Sequence, residues 1–143
     1  MSESASWQTI RKHLASHGAH IQRLEDQLSV GVPDATACLR RDFWLEGKFV
    51  KSLPARDDTP IRFGARAQTV HQRNWLDART RAGGICFVWV RVADERWYYF
   101  TDDFAFLVDG IPKKEFLAHP NAFKYASDMV ERIINVVKEK ANV

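Results

Sequence analysis

Apolar positions recur along the chain with two periods, and each change of period marks an element. Trp7, Ile10 and Leu14 share one face at helical spacing, with Ser6 placed to cap that helix and Gly18 to stop it. Residues 19–25 fit either an extended segment or a further helical turn. β-Prone residues over 34–39 and 43–51, split by the charged turn Arg40-Arg41-Asp42, predict a hairpin. The stretch 52–64 holds Pro54, Arg56, Asp57, Asp58 and Pro60 and reads as an exposed loop, long enough to touch a ligand. Helical spacing returns over 69–82, with Val70, Trp75 and Leu76 toward the core and Gly83-Gly84 as the stop. Ile85–Val92 is almost continuously apolar, which predicts a central strand buried on both faces. A turn over 93–96 leads to a strand at Trp97–Thr101. Over 102–119 a short strand is expected near Ala105–Val108. A closing helix is expected over about 122–138, with Phe123, Met129, Val130, Ile133, Ile134 and Val137 as its apolar residues. The order predicts an α/β fold, a single domain over 1–143 with a mixed central β-sheet flanked by helices.

Composition narrows this only slightly. The chain has 143 residues, 45% hydrophobic and 27% charged, enough for one ordinary core. A net charge of +3 and a pI near 9.0 suit a nucleic-acid partner without requiring one. Cys38 and Cys86 form no CxxC pair, fall in predicted strands, and read as small buried hydrophobes in a reducing cytoplasm. Met1-Ser2-Glu3-Ser4 gives no sign of a signal peptide, and no apolar run approaches the ~20 residues that span a bilayer. His13 and His17 stand one turn apart with His20 beyond. They lack cysteine or acidic partners at zinc spacing, so phosphate contact suits them better than zinc. No P-loop, GxGxxG or GxSxG is present, nor a recognisable motif for reading DNA sequence.

The chemistry concentrates at the hairpin. Asp34 opens the first strand. Glu46 and Lys48 are two apart on the second and so share a face. A carboxylate facing a carboxylate and an ammonium can hold a hard divalent cation and place a lysine beside it. The plainer alternative is Asp34 capping a turn and Glu46 pairing with Lys48 for structure alone.

Pro33-Asp34 followed by Glu46-Gly47-Lys48 resembles the PD-(D/E)xK nuclease signature. Arg23-Leu24-Glu25, Gly31-Val32 before Pro33, the later Gln72-Arg73-Asn74-Trp75-Leu76 and Gly83-Gly84 extend the likeness. Together they resemble the virus-type replication-repair (VRR-NUC) branch, common in phages and related to Holliday-junction resolvases, over about residues 20 to 100. The resemblance implies a restriction-endonuclease-like fold and magnesium, replaceable by manganese. The ligands it implies are Glu25, Asp34, Glu46 and the carbonyl of Gly47. Lys48 would orient the attacking water, shift its pKa or neutralise phosphoryl charge. Gln72 resembles the family's glutamine motif and bonds either to the site or to the DNA backbone, or is simply an exposed helix glutamine. Arg40, Arg41, Arg62, Arg66 and Arg73, with Arg56, Arg79 and Arg81, form a basic rim for DNA if loop and helix converge; otherwise they are scattered surface charges. The implied activity is endonucleolytic hydrolysis of structured or branched DNA by a homodimer, in the cytoplasm or in the host's if phage-encoded. The rival is a relaxed nuclease scaffold that only binds DNA or protein. Its sign would be Gly47, where the family carries an apolar residue and this chain leaves an expected gap in the packing.

Overall fold

The hairpin lies inside a six-stranded mixed sheet, in the order β1-β2-β3-β5-β6-β8. In this computed structural model residues 3–24, 31–94 and 97–142 are described. Helix α1 (Glu3–Ser16) leads into β1 (His20–Arg23), β2 (Ala35–Leu39) and β3 (Arg41–Val50). Then come β4 (Pro60–Ile61), α2 (Arg66–Arg81), β5 (Ile85–Val92) and β6 (Trp97–Thr101). The chain closes with α3 (Phe106–Asp109), β7 (Ile111–Pro112), α4 (Lys113–Ala118), β8 (Ala122–Phe123) and α5 (Ala126–Ala141). Among the described residues no helix is long and apolar enough to cross a membrane.

β1, β2 and β3 run antiparallel in turn, while β3 and β5 are parallel, joined by the crossover that carries α2. All of β5 is buried, as its apolar run predicts, because both faces of the sheet are covered there. On one face Trp7, Ile10 and Leu14 of α1 and Met129, Ile133 and Val137 of α5 pack on Phe43, Leu45, Phe87 and Trp89. On the other, Leu76 of α2 with Phe63, Phe106 and Phe116 packs on Val88, Val90 and Tyr99. α1 and β1 run opposite ways, so the start of α1 returns to the end of the sheet where β3 and β5 finish.

Several expectations change. Ser6 is buried inside α1, which begins at Glu3, so it is not a cap. Within the open segment 19–25, His20–Arg23 is strand β1. Ala105–Val108 is not a strand: Phe106–Asp109 is one helical turn, its apolar side chains tucked under the sheet. The closing helix starts at Ala126, because Ala122–Phe123 is taken up in pairing with Tyr98–Tyr99 at the sheet edge. Cys86 is buried, but Cys38 is exposed, on the open face of β2 near the turn.

Candidate active site

Ala35 pairs with Leu45, so Asp34, one step before, stands opposite Glu46. The two strands then lock each other's carboxylates. The Asp34 amide donates to Glu46 Oε1 at 3.2 Å, and the Gly47 amide donates to Asp34 Oδ2 at 2.9 Å. Lys48 Nζ lies 3.3 Å from Glu46 Oε2. It also donates to Gln72 Oε1 of α2 at 2.7 Å, so Gln72 is held on the lysine. Asp34, Glu46, Gly47, Lys48 and Gln72 line one cleft of about 330 Å³, together with Phe49, Phe63 and Glu3.

Glu46 is 2% exposed, and its carboxyl is pushed up to about 8. Burial is the largest cause and the Asp34 carboxylate adds to it, while Lys48 works the other way. A buried carboxylate, Glu46, thus faces the partly exposed Asp34 carboxylate, with Lys48 beside it at an open polar cleft. A divalent cation is the natural complement, because it favours the charged form of both. Among the described residues no three His, Cys, Asp or Glu side chains converge closely enough to form a ready ligand set. Magnesium keeps several waters and takes one or two carboxylates, so Asp34 and Glu46 fit it as a pair. Glu25 lies outside the described residues. Glu3 supplies a further carboxylate to the cleft. No local signal in the sequence singles it out, since only the return of α1 across the sheet brings it there.

Gly47 corrects an expectation. The space behind it is full. A Cβ at this position would meet Trp89 Cζ2 at 2.6 Å and Trp7 Cζ2 at 2.9 Å. These two indoles pack edge to face, with centroids 4.8 Å apart, against the reverse side of the strand. Glycine is what this packing requires.

The arginines divide into groups. Arg62 and Arg66 flank the turn into α2, and Arg73 follows Gln72, so these three sit on the elements bordering the cleft. Arg62 donates to the Asp109 carbonyl at 3.1 Å, and Arg73 reaches Asn74 and Asp77. Arg40 and Arg41 lie at the hairpin turn, about 20 Å along the strand from Asp34 at the usual rise per residue. Arg40 is the turn residue with φ 66°. Arg41 donates to the carbonyls of Gly83 and Lys140, at the carboxyl ends of α2 and α5, where a cation suits both helix dipoles. Arg79 stacks on Trp44 and Trp75, 4.8 and 4.7 Å from their ring centroids. Convergence of all of them into one rim is therefore not what the fold provides.

The chain matches no protein-family model and no curated protein.

Proposed function

We propose that the cleft is the active centre of a magnesium-dependent endodeoxyribonuclease. The reading rests on one observation. Asp34 and Glu46 are each bonded to the other's strand, and Lys48 is fixed between Glu46 and Gln72. Bound magnesium would supply Lewis-acid stabilisation of charge developing on the phosphoryl group. Asp34 and Glu46 would hold it, with the Gly47 carbonyl as a further oxygen. Lys48 stands where it can orient the water or meet an equatorial phosphoryl oxygen, and Gln72 fixes its direction. In the reaction a water oxygen bonds to phosphorus and the bond to the leaving sugar oxygen breaks. Arg62, Arg66 and Arg73, on the elements bordering the cleft, would be the arginines to hold the flanking phosphates. By the resemblance, the substrate is structured or branched DNA and the enzyme a homodimer, in which two sites cut paired strands. The alternative of a relaxed, non-catalytic scaffold took Gly47 as its sign. Gly47 has a packing reason of its own in Trp7 and Trp89, so by itself it does not mark a relaxed site.

The test is nicking of linear, supercoiled and four-way-junction DNA in magnesium, beside a Glu46→Ala variant. Cleavage by the parent, its loss in the variant and its loss on chelation are expected. A folded parent that cuts none of the three DNAs in magnesium or manganese would overturn the reading.

A further inference from the structure

The segment leading into Asp34 passes α2 at Gly31, whose φ is +85°. A Cβ there would lie 2.4 Å from the His71 carbonyl oxygen, 2.7 Å from its carbon and 3.2 Å from the Gln72 nitrogen. These are backbone atoms inside a helix, held by the helix's own hydrogen bonds, so no side chain can swing aside to make room. The next residue along α2 is Gln72, bonded to Lys48 at 2.7 Å, and Lys48 is 3.3 Å from Glu46.

We propose that Gly31 is a positioning residue for this site, resting on the nuclease reading above: its missing side chain lets α2 approach closely enough for Gln72 to hold Lys48. A methyl group at 31 drives the loop and the helix apart. The loop continues through Val32 and buried Pro33 into Asp34, which is tied to Glu46 and Gly47, so the helix is the side that yields. Gln72 then withdraws from Lys48, while both carboxylates stay in place. Gly83 provides the control. Its φ is +100°, yet nothing lies within 4 Å of a Cβ built there. Alanine at 83 suffers the same unfavourable backbone region without the collision.

The experiment compares Gly31→Ala, Gly83→Ala, Gln72→Ala and the double variant Gly31→Ala/Gln72→Ala. Gly31→Ala should remain folded and lose about 10²-fold in cleavage rate at saturating DNA, the scale of a ~1 Å misplacement. Its DNA affinity in calcium should match the parent's. Gly83→Ala should cleave at the parental rate. Adding Gly31→Ala to Gln72→Ala should cause no further loss, because both act through one hydrogen bond. Crystal structures should show the Lys48–Gln72 bond open in Gly31→Ala and closed in Gly83→Ala. A parental rate in Gly31→Ala, a loss that multiplies with that of Gln72→Ala, an intact bond or a lost fold would each overturn the proposal. If the parent itself cuts no DNA, the nuclease reading fails, and the crystal structures alone decide the role of Gly31.

Discussion

Between Glu46 and Lys48 the two faces of β3 are built on opposite terms. One face carries a carboxylate and an ammonium, with room in front of them for a cleft. The other carries no side chain at all, and two indoles fill the space. On the cleft face, geometry is held by directed bonds from Asp34 and Gln72, any of which can be removed without displacing atoms. On the indole face it is held by contact alone, and nothing can be added without displacing atoms. Neighbouring residues of one strand are therefore fixed by different physics. Loss on the cleft side should cost chemistry, and gain on the indole side should cost stability.

The largest expected effect breaks the cleft side alone. Lys48→Ala should slow cleavage by about 10²–10³, the scale of one lost group aimed at transition-state charge. Its circular dichroism and DNA affinity should stay close to the parent's, with a salt slope changed by at most about one. A folded variant that cuts as fast as the parent would show that this face is not the reacting one.

Next in size is the indole side. Gly47→Leu should destabilise the protein by about 1–3 kcal/mol or more through overpacking against Trp7 and Trp89. The expected drop in urea midpoint should come with little soluble protein. A midpoint equal to the parent's would mean that the indoles can move aside.

The effect that builds most gradually, spread over several pH units, sharpens the comparison through protons. The folded-state affinity of Glu46 for its proton is raised, from the ordinary carboxylate range to about 8. Its contribution to the stability of the metal-free protein is thus fully present below the ordinary range and is lost as pH rises toward about 8. Magnesium needs the ionised form, so its affinity should climb by up to about tenfold per pH unit across the same window and then level. Thermal unfolding between about pH 5 and about pH 9, with and without magnesium, measures both. A magnesium-induced shift that is the same at every pH would remove Glu46 from the ligand set.

What the sequence made legible was mostly local. The facing of Asp34 with Glu46 and Lys48 follows from strand alternation across a short turn, and the burial of β5 follows from its unbroken apolar run. The distance of Arg40 and Arg41 from Asp34 was also readable, since six strand positions are about 20 Å. The misreadings come from partners remote in the chain. Gly47 looked like a gap because Trp7 and Trp89 lie about forty residues away on either side. Arg79 looked free because Trp44 reaches its helix from strand β3, remote in the chain. Ala105–Val108 carried too few residues to reveal a period, so tertiary packing decided its form. Glu3 gave no signal, because its place depends on the direction of a whole helix.

The register of the hairpin also has a consequence for folding order. β2 and β3 meet across a single turn residue, whereas β3 and β5 pair only after the crossover through α2 closes. Hairpins form in about 1–10 μs, and contacts of long sequence separation come later. The two carboxylates are thus expected to meet early, while still hydrated, and to lose their water only when the parallel strand and α2 dock. Lys48 and Gln72 belong to that later event. Assembly of the site is then a late desolvation of an early pair, and conditions that neutralise the pair should speed the final docking step.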